Sequence, residues 1–268
     1  MVDAPIGVFD SGIGGLTVLA ALLQALPHER FVYLGDTARL PYGTKSAHTV
    51  ERYAVQAAQA LMGRGVKSLV VACNTAASVG LDAVRAHSGA VPVIGVIEPG
   101  AEAACAATGS GHIMVIATEA TVRGGAYERA ILQRRADARV VQLPAQLLVA
   151  LAEEGLVAGP VAAGIVSHYL GPVFAEDPPD TLVLGCTHFP TLAPTIRDVV
   201  GPQVRIVDSA LTTAAAVREQ LLGAGLARRA GAPSVQFIAT DGAERFARVG
   251  SRFLGRAIDA RRIELIDL

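Results

Sequence analysis

Lysine is nearly missing from this chain: Lys45 and Lys67 are the only two in 268 residues. A Schiff-base cofactor such as pyridoxal phosphate would have only those two anchors. Cysteine is sparse as well, with Cys73, Cys105 and Cys186 scattered along the chain. Three such residues argue against a disulfide framework and leave metal or catalytic roles open. No apolar run approaches the ~18 residues that a membrane span requires. The opening Met1-Val2-Asp3-Ala4-Pro5 lacks the basic and apolar regions of a secretory signal, so a cytoplasmic location without membrane attachment is expected. An excess of one charge is also lacking. The formal net charge is −1, which leaves no global basic field for nucleic acid. The pairs Arg134-Arg135, Arg228-Arg229 and Arg261-Arg262 read as solvated faces.

What is abundant is apolar: 51% of residues, enough for a sizeable core. Short apolar runs alternate with helical patterns throughout. Strands are predicted at 6–10, 31–34, 68–73, 93–96, 112–117, 139–142, 181–184, 204–208, 235–239 and 263–266. Helices are predicted at 16–26, 47–62, 76–87, 101–107, 122–135, 146–154, 161–174, 192–200, 211–222 and 243–254. Repeated β-then-α means parallel sheets covered by helices, an α/β fold with right-handed crossovers. Roughly ten strands are many for one open twisted sheet, so two lobes are expected. Glu98-Pro99-Gly100 offers a first crossing and the region near Asp208 a return. The expected division is 1–97 with 207–268 as one lobe and 98–206 as the other.

Two stretches echo each other: Leu69-Val70-Val71-Ala72-Cys73-Asn74-Thr75 and Leu182-Val183-Leu184-Gly185-Cys186-Thr187-His188-Phe189-Pro190. Each reads as a buried strand ending in a thiol, followed by hydrogen-bonding residues at a helix mouth. The echo suggests two pseudo-symmetric halves with one thiol from each at a site between them. At a helix N-terminus the dipole is expected to lower a thiol's pKa. Asp10 and His188 are candidate proton partners, and Asn74, Thr75 and Thr187 are donors suited to a carboxylate. Cys105, in Ala-Ala-Cys-Ala-Ala, reads as a small hydrophobe. Asp10-Ser11-Gly12-Ile13-Gly14-Gly15 follows a strand and opens a helix, a loop that could admit an anion to backbone N–H groups. A dinucleotide fingerprint would need glycine where Thr17 stands, although Asp36 sits where a ribose-binding acid belongs.

Several chemistries compete for the thiols. Cys73, Cys186 and His188 could hold zinc, but no tight CxxC or HxxH spacing supports it. A Cys–His hydrolytic nucleophile would leave one thiol unused. Proton transfer on opposite faces of one carbon uses both. Each sulfur would stand roughly 3–3.5 Å from the carbon, and the pair roughly 6–7 Å apart. Without an electron sink, aligned donors around an α-carboxylate must stabilise the developing carbanion.

The chain resembles the bacterial glutamate racemases of the cofactor-independent aspartate/glutamate racemase superfamily. The resemblance is carried in order by Ile6–Thr17, Gly35-Asp36-Thr37-Ala38-Arg39 with Pro41-Tyr42-Gly43, Ala72–Ala76, Gly95–Gly100, Ala117-Thr118 with Thr121-Val122, and Leu184–Pro190. It implies interconversion of L- and D-glutamate to supply D-glutamate for peptidoglycan, with no cofactor and no metal. It implies Cys73 and Cys186 as the acid/bases, with Asp10 assisting the first and His188 the second. Asp10-Ser11 and Pro41-Tyr42-Gly43 would surround the side-chain carboxylate. Asn74, Thr75 and Thr121 would hold the α-carboxylate, and Thr187 the amino group. The family's two lobes are α/β sandwiches that enclose the site, and homodimers are usual. A contact with DNA gyrase rests on family analogy alone.

One stretch departs from the family's pattern. Leu143-Pro144-Ala145-Gln146 through Glu153-Glu154-Gly155 lacks the family's cysteine and second proline there. Glu153 is the better match to the acidic pocket residue, with Glu154 the alternative. Other expectations are structural: Thr118 as a scaffold residue beside Thr121, Asp241 as a helix N-cap with Glu244, and His112 on a polar stretch. Rival functions are a relative racemising aspartate or a hydantoin, and a non-catalytic amino-acid-binding or regulatory protein.

Overall fold

Ile6–Asp10 (β1) is apolar up to its last residue and buried along its whole length, as a central parallel strand must be when helices cover both faces. The computed structural model describes residues 2–268. From β1 the chain runs through α1 (Leu16–Ala25), β2 (Arg30–Gly35), α2 (Ala47–Met62), β3 (Ser68–Val71), α3 (Asn74–His87) and β4 (Val93–Gly95). It continues through α4 (Ile97–Ala107), β5 (His112–Ala117), α5 (Glu119–Gly124), α6 (Ala126–Arg134), β6 (Arg139–Pro144), α7 (Gln146–Glu154) and α8 (Gly159–Glu176). Then come β7 (Thr181–Gly185), α9 (Ala193–Val200), β8 (Arg205–Asp208), α10 (Ser209–Gly223), β9 (Ser234–Ala239), α11 (Ala243–Leu254) and β10 (Ile263–Leu265).

The strands form two sheets, parallel throughout. One has the order β10-β9-β2-β1-β3-β4 and the other β6-β5-β7-β8. In the first sheet β1 is followed by β2 on one side and later by β3 on the other. In the second, β5 is followed by β6 on one side and by β7 on the other. Each sheet therefore reverses its winding beside its first strand, between β2 and β3 in one and between β6 and β7 in the other. Such a reversal opens a crevice at the carboxyl ends of the two strands that flank it, and ligands of open α/β sheets bind there. Asp10 ends β1 and Cys73 follows β3; Thr118 follows β5 and Cys186 follows β7.

Four sequence expectations are corrected. Glu98-Pro99-Gly100 is not a linker but the first turn of α4, where a proline's missing N–H leaves no helical bond broken. The single helix expected over 122–135 is two, divided at Gly125 with φ +62°. Asp241 does not cap α11; its carboxylate accepts from the adjacent Gly242 N–H, and Gly242 takes the capping position. His112 is buried at the first residue of β5 rather than exposed. Among the described residues no helix is long and apolar enough to cross a membrane.

Candidate active site

A small cleft of about 50 Å³ lies between the carboxyl ends of the two sheets. Ser11, Pro41, Tyr42, Gly43, Cys73, Asn74, Thr75, Glu153, Cys186, Thr187 and His188 all line it. Asp10 and Thr121 do not reach its surface. Asp10 lies beneath Ser11, and its Oδ2 accepts the Gly12 N–H at 2.9 Å, while Oδ1 is buried without a partner. Thr121 is fully buried in a ring of hydroxyls, 3.2 Å from Thr75 Oγ1 and 2.9 Å from Thr118 Oγ1. Thr118, expected to be scaffold, is the one that faces the cleft, and it caps α5 through the Thr121 N–H. The two threonines therefore exchange the positions expected of them.

The first half of the site is built by β1 and β3. Cys73 caps α3, with its Sγ accepting the Ala76 N–H at 3.4 Å. The dipole does not lower its pKa as expected. Burial first, then the charge of Asp10, pushes the Cys73 thiol up to about 12, against hydrogen bonds from Ser11 and Ala76. Burial likewise raises Asp10, although the Gly15, Gly12 and Ser11 N–H groups and the charge of His188 favour its ionised form. The segment Pro41-Tyr42-Gly43 is held from behind by Asp36. That fully buried carboxylate accepts from the Tyr42 hydroxyl, from Arg39 Nε at 2.7 Å and from the Thr240 hydroxyl at 3.0 Å. Asp36 is thus a scaffold residue and not a ribose ligand.

The second half is built by β7 and α7. No α-helix begins at Cys186. The next element is a single 3₁₀ turn, Phe189–Leu192, so the helix-dipole expectation fails here too. A relay of side chains takes its place. His188 Nδ1 lies 3.7 Å from Cys186 Sγ and its Nε2 donates to Glu153 Oε1 at 3.1 Å. Glu153 Oε2 in turn accepts from Arg245 of α11 at 2.8 Å. Burial opposes a charge on His188, yet its bonds to Cys186 and Glu153, with the charges of Cys186 and Asp10, hold its pKa up at about 10. The His188 bond, opposed by burial and reinforced by Arg245, holds Glu153 down to about 2. His188 also meets the Phe253 ring edge-on, with centroids 5.2 Å apart. Glu154 lies outside the cleft, which decides between the two glutamates.

The halves touch at Gly14. A Cβ there would strike the Thr187 hydroxyl and sit 2.5 Å from His188 Nδ1, so only glycine allows this approach. Thr17 adds a tie, its hydroxyl donating to the Thr187 carbonyl at 2.8 Å. Gln146 and Val149 of α7, with Ile13 and Leu40, complete the wall. Sequence reasoning missed these residues and Arg245. The departure from the family's pattern over 143–155 drew attention to Glu153 and Glu154, not to Gln146.

The Asp/Glu/Hydantoin racemase family model matches residues 6–218. The chain belongs to that family. Among its members, the glutamate racemase of Koribacter versatilis (strain Ellin345) is 44% identical over 98% of this chain and 97% of that protein. The glutamate racemase of Geobacter metallireducens is 47% identical over 93% of this chain and 92% of that protein. The crystal structure of the Francisella tularensis glutamate racemase in complex with D-glutamate superposes with a TM-score of 0.92. It is 34% identical and covers 100% of this chain and 98% of that one. The two-sheet α/β architecture of this racemase-family chain is thus that of its structural relatives.

Proposed function

We propose that this chain is a glutamate racemase that moves protons with two thiols and no cofactor. The observation that carries this is the cleft itself, lined by Cys73 from one sheet, within the influence of the Asp10 charge, and by Cys186 from the other, beside His188 Nδ1. The names of its relatives support glutamate as substrate. The lobes proposed are 1–97 with 207–268, and 98–206.

In one direction Cys186, as thiolate beside the His188 imidazolium, removes the proton from Cα and becomes a thiol. Cys73, as thiol, delivers its proton to the opposite face and becomes a thiolate. The reverse reaction exchanges these roles, with Asp10 as the partner of Cys73. Burial keeps Cys73 protonated before turnover, so the acid is ready when the base acts. The carbanion between them carries charge into the α-carboxylate. The Asn74 amide and the Thr75 and Thr118 hydroxyls line the cleft as donors for it, with Thr121 ordering the two threonines from beneath. Preorganised hydroxyls whose bonds strengthen with that charge each supply about 3–4 kcal/mol in other enzymes, whereas the Asn74 amide holds the carboxylate equally in substrate and transition state. Thr187 is proposed to meet the amino group, and Ser11 with Pro41-Tyr42-Gly43 the side-chain carboxylate.

A panel of L- and D-glutamate, aspartate and 5-substituted hydantoins, followed by optical rotation, tests the substrate. Racemisation of glutamate alone is expected; turnover of aspartate or a hydantoin without glutamate would overturn the assignment. We further propose that the enzyme works as a cytoplasmic homodimer supplying D-glutamate for peptidoglycan. Sedimentation of the purified protein tests the dimer.

A further inference from the structure

Asn74, the first residue of α3, is 2% exposed and lines the cleft next to Cys73. Its two amide atoms have unlike surroundings. Oδ1 accepts the Tyr127 hydroxyl at 2.7 Å, whereas Nδ2 is buried without a protein partner. Tyr127 is fully buried on α6, so this bond runs from a helix after the second sheet's first strand to a helix of the first sheet. Two glycines make room for the ring. A Cβ at Gly100 would stand 3.2 Å from Tyr127 Cε1 and from its hydroxyl, and one at Gly185 would stand 3.1 Å from Cε2. Gly185 immediately precedes Cys186. The phenol is therefore wedged between the strand end that carries one thiol and the helix start that follows the other.

A buried phenol has one proton to give, and burial holds the Tyr127 pKa above its ordinary value. Donated to Asn74 Oδ1, that proton fixes which way the amide faces, because an amide presents an acceptor on one side and donors on the other. The NH₂ group is then left facing away from Tyr127, and a buried donor without a partner is costly until a ligand supplies one. We infer that Tyr127 is a positioning residue that sets the Asn74 amide with its donor towards the substrate's α-carboxylate. This rests on the proposal that the cleft binds glutamate. It also makes that donor depend on both halves being in place, since the Tyr127 bond joins them.

Tyr127→Phe keeps the ring and removes only the O–H. It should raise KM for both glutamate enantiomers about tenfold while kcat falls less than about threefold, as expected when one oriented donor is lost from uniform binding. Asn74→Ala should raise KM by a similar factor, and the double variant should be no worse than Asn74→Ala alone, because the two act through one bond. Asn74→Asp provides a second test in the unaltered Tyr127 background. The phenol still holds one oxygen, the other faces the cleft, and KM should rise well beyond that of Asn74→Ala. A KM for Tyr127→Phe within about twofold of the parent overturns the inference, as do multiplying effects in the double variant. So does an Asn74→Asp variant no worse than Asn74→Ala. A parent protein that does not racemise glutamate overturns the substrate proposal itself, and is told apart by needing no variant.

Discussion

The two thiols have unequal surroundings. Cys73 is buried under the influence of a carboxylate, whereas Cys186 faces an imidazole tied to Glu153 and through it to Arg245. Removing the imidazole should therefore hurt the Cys186 step: His188→Gln is expected to lower kcat by about 10²-fold or more, the usual worth of a placed acid/base. Arg245 is half-exposed and touches Glu153 rather than the cleft. Arg245→Gln should accordingly cost only a few-fold in kcat, since a solvent-screened ion pair contributes about 1 kcal/mol or less. Steady-state rates from each enantiomer check both. The same relay sets a pH dependence of stability. His188 has a raised pKa, so its stabilising effect is complete below about 6.5 and is lost as pH rises towards about 10. Glu153 has a lowered pKa, so its effect is complete above about 4.5 and is lost as pH falls towards about 2. Urea midpoints should be highest between those limits and fall on the alkaline side, and Glu153→Gln should flatten that fall.

At the scale of elements, a small number of close contacts hold the halves in register. Gly14 at the mouth of α1 lies against Thr187 and His188 with no room for a methyl group. Gly14→Ala should cost activity at least about 10²-fold by displacing the reacting groups, with a much smaller change in urea midpoint. Far from the cleft, Lys67 before β3 donates to Glu29 at 2.7 Å and to the Val2 and Leu226 carbonyls. Both charges are buried. Lys67→Met leaves Glu29 without its cation and should destabilise the fold by about 3–5 kcal/mol in urea titrations, with kcat unchanged in the folded protein. Most elements were legible in the sequence, because a parallel strand covered on both faces reads as an uninterrupted apolar run, as in Ile6–Asp10 and Thr181–Gly185. Backbone events inside apolar stretches were not. The Gly124-Gly125 pair and the proline of Glu98-Pro99-Gly100 are local signals of a helix break and a helix start, but the helical and turn-like patterns around them outweighed both.

Over the whole molecule, the sequence stretches at Cys73 and Cys186 become the two walls of one cleft because each sheet reverses its winding beside its thiol. Motif residues next to the thiols were legible because strand ends place them there. Partners contributed from a distance were not: Arg245, Tyr127 and Gln146 reach the site only through tertiary folding. The helix-dipole expectation failed for a related reason. Local sequence shows a helix start but not the burial and the Asp10 charge that outweigh it at Cys73. The most direct test of the two-thiol mechanism is incorporation of solvent deuterium at Cα of glutamate, with purified protein in D₂O and no added cofactor. Rapid incorporation is predicted from both enantiomers, with racemisation abolished in Cys73→Ala and in Cys186→Ala. No incorporation by the parent protein, or racemisation that survives in both variants, would contradict it.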